Sequence, residues 1–188
     1  MKMPVNERQR LARLRALEIL DTGREKPFDE IASIAAEICQ APIALISLID
    51  EKRQWFKARV GSERASTERS TAFCAETILS DELLIVEDAT RDARFSANEL
   101  VRATPSITFY AGAPLVTPDG SAVGSLCVMD YKPRSLSPAQ RAALRALARQ
   151  TVAQMELRQK LLKVQTTIDV LGETERRFRL IADASPIL

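Results

Sequence analysis

One feature constrains this chain more than any other: between Pro138 and Gly172 there is neither a proline nor a glycine. Ser137 suits an N-cap and Pro138 suits the first helical position. The stretch therefore predicts a single helix running to Leu171, over 30 residues long. Its apolar spacing changes along the way. Leu144, Leu147, Thr151 and Gln154 follow a 3-4-3 spacing; Leu157, Leu161, Val164, Ile168 and Leu171 follow 4-3-4-3. The runs join with a three-residue step, a stammer that overwinds a coiled coil locally. A helix this long outruns the flank of a small sheet. Its first half is expected to pack on the sheet and its second half to pair with a partner helix. The candidate dimer seam is Leu144, Leu147, Leu157, Leu161, Val164, Ile168 and Leu171.

What precedes the helix alternates between helices and strands. Asn6 to Ile19 has a helical apolar stripe at Leu11, Leu14 and Leu17. Arg8, Arg10, Arg13 and Arg15 read as its solvated face, and Asp21-Thr22-Gly23 stops it. Pro27 to Cys39 reads as a second helix, with Phe28, Ile31, Ile34, Ala35 and Ile38 toward a sheet. Ile43 to Ile49 is apolar on both faces, as a covered central strand is. Arg53 to Val60 returns as its hairpin partner, and Gly61 opens a polar loop. Ala72 to Leu79 predicts a short helix, Leu83 to Val86 a strand, and Asn98 to Thr104 a helical piece. Ile107 to Val116 and Ala122 to Met129 form a hairpin around the Pro118-Asp119-Gly120 turn. The order is that of an α+β fold: an antiparallel sheet of five to six strands flanked by helices.

Composition excludes more than it selects. The chain has 188 residues, 46% of them hydrophobic and 28% charged, with a formal net charge of +2. That balance offers no strong field to nucleic acid, and the arginines are not interleaved with aromatics. No run approaches the length of a membrane span, and the start offers no signal-peptide core, so the expected location is cytoplasmic. There is no histidine. Ser-His-Asp and Cys-His catalysis and His-ligated zinc or haem are therefore out of reach. There is no glycine-rich phosphate loop, and Asp88, Asp92 and Asp119 lack EF-hand spacing. No catalytic residue and no metal ligand is expected.

Several separated blocks resemble the GAF domains at the front of bacterial sensor kinases and diguanylate cyclases. They are the opening from Asn6 through PFDEIASIAAEICQAPIALISLIDEKRQWFKARVG, then FCAETIL, IVEDATRDARF, FYAGAPLVTPDGSAVGSLCVMD and PRSLSPAQ. The resemblance spans about Asn6 to Leu157. The tail ERRFRLIADASPIL resembles the first helix of a PAS domain. The implied organisation is an N-terminal helix over 1–22, a GAF sensor over 23–157, a coiled-coil linker over 158–172 and the start of a PAS domain over 173–188. It implies a sensory input module, of a histidine kinase in the first instance, dimeric through its terminal helices and followed by PAS and output domains. The alternatives are a ligand-free dimerisation module, a diguanylate cyclase input domain and a cysteine-based reductase.

The resemblance places a small-molecule pocket between the sheet and the Ala72–Leu79 helix. Trp55, Phe73, Cys74, Ile78, Phe109 and Tyr110 are the candidate lining. Trp55 and Phe56 alternate along a strand, so both cannot face it. The ligand is unknown. Relatives that tether a bilin use a Cys followed by His, whereas Cys74 is followed by Ala75 and Glu76, which argues against a bilin. Cys74 is read as a pocket-lining thiol, redox-sensing if its pKa is lowered. Cys39, Cys74 and Cys127 fall on a helix end, a helix start and a strand, so no two are expected to resolve each other.

Overall fold

The computed structural model describes residues 3–184. Its frame is a six-stranded, wholly antiparallel sheet: β1 (Ile43–Ile49), β2 (Arg53–Val60), β3 (Ser66–Glu68), β4 (Leu84–Val86), β5 (Phe109–Val116) and β6 (Ala122–Asp130). The strand order is β3-β2-β1-β6-β5-β4. The β1–β2 and β5–β6 hairpins form as expected. The polar segment after Gly61 is not all loop, because Ser66–Glu68 adds an edge strand to β2. At Gly120, which closes the β5–β6 turn, φ is +81°, a conformation glycine adopts without strain.

Helices cover both faces, which is why every residue of β1 is buried. On one side lie α1 (Glu7–Ala16), α2 (Lys26–Cys39) and the start of α5 (Pro138–Ala184), over Ala44, Ile46, Leu48, Phe109 and Leu126. On the other lie α3 (Phe73–Thr77) and α4 (Glu99–Arg102), with their loops, over Ile43, Leu45, Phe56 and Cys127. Asn98 caps α4, its side chain accepting from Leu100 N–H.

The α2 helix buries Phe28, Ala32, Ala35 and Cys39 toward the sheet. Ile34 and Ile38, expected on that face, stand more than 40% exposed, because the packed face is the small-residue row that lets helix and sheet approach closely. The arginines of α1 differ from expectation as well. Arg10 is buried and Arg13 is largely covered, since α1 packs against β6 and pairs with α5 through Glu156.

The α5 helix begins on a capping box, Gln140 N–H donating to Ser137 Oγ and Ser137 N–H to Gln140 Oε1. It runs unbroken for 47 residues, about 70 Å at 1.5 Å per residue. No break marks the expected boundaries at 158 and 173; residues 185–188 lie outside the described part. Leu144, Ala148, Val152 and Met155 bury toward β5 and β6, and Gln159 closes the row by donating to the Ala16 carbonyl. Leu144 is 0% exposed and Leu147 is half-buried against the same core, so neither is free to form a seam. From Lys160 to Leu180 every residue except Gly172 is exposed. Among the described residues no helix is long and apolar enough to cross a membrane.

Candidate functional site

The face of the sheet under α3 carries a cavity of about 260 Å³. Apolar side chains of β1, β2, β6 and the α4 region form most of it: Ile43, Leu45, Phe56, Leu100, Ile107 and Met129. Gln54, Thr67 and Arg64 supply polar groups at its wall and rim. Of the expected lining, Phe73 and Cys74 are there. Tyr110 lies in the same buried cluster, stacked on Phe73 with ring centroids 5.1 Å apart. Ile78 belongs to that cluster too, but borders a separate depression beside α1 that also holds Arg10, Asp81 and Asp119.

Trp55 and Phe109 do not belong to the site. Both point into the core under α1, α2 and α5. Alternation along β2 assigns the cavity to Phe56 instead. Alternation along β5 does the same for Tyr110 over Phe109. The strand phase is reset at Lys57: Ala58 pairs with Ile46 and Phe56 with Ser47, leaving Lys57 as the extra residue of a bulge.

Beneath the apolar wall is a compact polar group. Cys74 Sγ lies 3.6 Å from Cys127 Sγ and accepts from Tyr110 Oη at 3.4 Å and from Gln54 Nε2 at 3.3 Å. Ser47 and Ser125 face each other on paired strands, Oγ to Oγ 3.3 Å. Thr77 Oγ1 and Tyr110 Oη are 2.5 Å apart. The expectation that no two cysteines meet is thereby corrected. α3 crosses directly over β6, which brings residues distant in sequence to one point. Burial raises the Cys74 pKa, but hydrogen bonds from Cys127, Ser125, Ser47 and Tyr110 outweigh it and bring the thiol down to about 6. The Cys127 thiol moves the other way, held well above its usual value first by the hydrogen bond to Cys74 and then by burial. Burial, followed by the charge of Cys74, raises Tyr110. Cys39 is remote from this group; burial pushes its thiol up to about 11.

Ion pairs connect this site to the long helix. Arg69, one turn ahead of α3 and 1% exposed, donates to Glu7 Oε1 at 2.5 Å and to the Asp50 carbonyl at 3.1 Å. Arg10 grips the same Glu7 carboxylate with two bonds of 2.8 Å. Further along α1, Arg13 pairs with Glu156 of α5. Arg158 of α5 donates to the Glu18 carbonyl and to Glu25, each at 2.8 Å. Glu25 in turn holds the buried Lys57 ammonium of β2 at 2.6 Å. The N-terminal helix is thus fastened at one end to the segment carrying Cys74 and at the other to α5. Among the described residues no group of His, Cys, Asp or Glu has the spacing to hold a metal.

The sequence model of the GAF domain family matches residues 23–155. Among characterised proteins, cyclic di-GMP phosphodiesterase PA2567 of Pseudomonas aeruginosa is 40% identical over 183 residues. That alignment covers 97% of this chain and 30% of the relative, so the chain spans under a third of that protein's length. Among solved structures, the domain of a putative two-component sensor histidine kinase protein from Sinorhizobium meliloti 1021 superposes with a TM-score of 0.59 at 19% identity, over 74% of this chain and 96% of that one. The GAF domain of an Acinetobacter phosphoenolpyruvate-protein phosphotransferase gives 0.58 at 20% identity, over 82% and 95%. These two likenesses are likenesses of fold.

Proposed function

The chain belongs to the GAF domain family, and from that membership we propose that it is the sensory input module of a larger bacterial signalling protein. It takes a small molecule or a redox signal at the α3 cavity and passes the outcome through α5 to an output domain. The observation that carries this reading is the division of α5. Its first half is bound into the sensor core, and its second half projects with Leu157, Leu161, Val164, Ile168 and Leu171 exposed. Soluble monomers avoid such a stripe. Pairing with a second copy in parallel covers it and directs both chain ends toward one output.

For the parent, the 40% relative, a cyclic di-GMP phosphodiesterase, is better support than the solved histidine-kinase domain, whose likeness is one of fold. We place the chain ahead of an enzyme of cyclic di-GMP turnover in preference to a histidine kinase, with the PAS-like tail leading into the next domain. The module itself senses and does not catalyse.

The cavity lies slightly below the volumes that hold drug-sized ligands, and it is mostly apolar, with Gln54, Ser62, Thr67, Thr104 and Tyr131 adding polar groups and Arg64 the one charged side chain on its lining. It suits a small, mostly apolar molecule with one anionic or carbonyl group to meet Arg64. The test is thermal stability against a panel of small carboxylic acids and neutral metabolites, for the wild type and for Ala103→Trp, which narrows the cavity mouth. A shift in the wild type that disappears in the variant supports ligand sensing. No shift across the panel, or an equal shift in both proteins, leaves a ligand-free dimerisation module as the better reading.

A further inference from the structure

Two of the three cysteines are in contact, and the cavity reaches one of them. We infer that Cys74 and Cys127 form a two-electron thiol–disulfide site whose oxidant is a small hydroperoxide entering through the α3 cavity. The bond itself does not depend on the ligand-sensing reading. Its consequence for the cavity does, because Cys74 lies on the wall a ligand would touch.

The surroundings divide the roles. Cys74 opens on the cavity, and its sulfur accepts from Tyr110 Oη and Gln54 Nε2. Donors aimed at a sulfur favour the thiolate, which is the nucleophile. Its lowered pKa and the raised pKa of Cys127 agree with this division. Cys127 lies below on β6, fully buried and not on the cavity wall. It is placed to attack Cys74, not the oxidant.

The chemistry balances in two steps. The Cys74 thiolate attacks the distal oxygen of the hydroperoxide and the O–O bond breaks. The leaving alkoxide, or hydroxide in the case of hydrogen peroxide, takes up the proton that Cys74 released, and Cys74 becomes a sulfenic acid. Cys127 sulfur then attacks the sulfur of the sulfenic acid. The S–S bond forms, the S–O bond breaks, and the departing hydroxide leaves as water with the Cys127 proton. In sum, two thiols and one hydroperoxide give one disulfide, one alcohol and one water.

Forming the bond changes the structure. The sulfurs now stand 3.6 Å apart, and a disulfide brings them to about 2.05 Å. The short α3 helix must move toward β6 to close that gap, since β6 is held in the sheet between β1 and β5. Arg69 precedes α3 directly and holds Glu7, so the displacement reaches α1.

The experiment treats the reduced wild type with equimolar hydrogen peroxide, alkylates the remaining thiols after denaturation, and maps peptides without reductant. Alkylatable cysteines fall from three to one, the survivor being Cys39, and the Cys74 and Cys127 peptides run as one species until reduced. In Cys127→Ser the reaction stops at the sulfenic acid, which dimedone traps on Cys74. Three alkylated cysteines after peroxide, a bond that includes Cys39, or no dimedone adduct in Cys127→Ser each overturns the inference. If the bond forms while the metabolite panel gives no thermal shift, the inference holds and only the ligand reading fails.

Discussion

A Cβ atom built on Gly112 would stand 2.1 Å from the hydroxyl oxygen of Tyr110, two residues earlier on the same face of β5. The missing side chain is what lets the phenol lie along the strand and reach Thr77 and Cys74. Gly112→Ala must push a fully buried ring that is stacked on Phe73. Overpacking of this kind costs about 1–3 kcal/mol. Denaturant unfolding is expected to show that loss, together with a Cys74 that reacts faster with iodoacetamide as its cover lifts. A variant as stable as the wild type contradicts the packing argument.

The Glu7 carboxylate sets an acid limit. Burial alone raises its pKa, but hydrogen bonds from Arg10 and Arg69 outweigh burial and take it from 4.5 to about 2. The folded pKa is depressed, so the contribution is complete above the unfolded value and is lost as pH falls from 4.5 toward 2. Arg10 Nη1 and Arg69 Nε and Nη2 are buried without a hydrogen-bond partner, so both guanidinium groups depend on the bonds that Arg10 Nε and Nη2 and Arg69 Nη1 make to Glu7. Glu7→Gln is expected to be less stable at neutral pH and to lose this part of the acid dependence. Urea unfolding from pH 7 to pH 3 reads both, and parallel curves for the two proteins contradict the assignment.

Lys57 is enclosed, its ammonium held by Thr22, the Gly23 carbonyl and Glu25. Removing one member of a buried ion pair typically costs about 3–5 kcal/mol. Glu25 is 34% exposed and keeps Arg158 when Lys57 is lost, so Lys57→Met is expected to cost less than that range. Removing Glu25 instead leaves Lys57 buried without its anion and releases Arg158 of α5. Glu25→Ala is therefore expected to raise hydrogen exchange around Arg158 more than Lys57→Met does. Equal exchange in the two variants contradicts the role of Glu25 as the fastener.

How much of this was legible in the sequence depends on the reach of each signal. The β1–β2 and β5–β6 hairpins and the start of α5 are readable because the continuous apolar run of β1, the Pro118-Asp119-Gly120 turn and the Ser137-Pro138 start signal are local. β3 was not, because Ser66–Glu68 is three residues at an edge with no apolar alternation. Phe56 was lost to Trp55 for a different reason. Alternation says that one of the two faces the cavity, but which one depends on the face that α2 covers, and that is a tertiary fact. The partial burial of the α1 arginines and the meeting of Cys74 with Cys127 are long-range consequences of helix placement, and no local pattern encodes them. In α5, Leu144 obeyed a heptad-like spacing while serving the sheet. Spacing marks an apolar row but does not name its partner.

A relay through α5 requires a partner that covers its projecting half. Leu161 is 60% and Ile168 56% exposed, so replacing both with lysine leaves the core untouched and puts like charges into the proposed seam. Sedimentation velocity of the wild type and of Leu161→Lys/Ile168→Lys at tens of micromolar is the most direct measurement. A dimeric wild type and a monomeric variant with an unchanged melting transition of the globular part are the predicted result. A wild type that is already monomeric, or a variant that remains dimeric, contradicts the relay through paired helices.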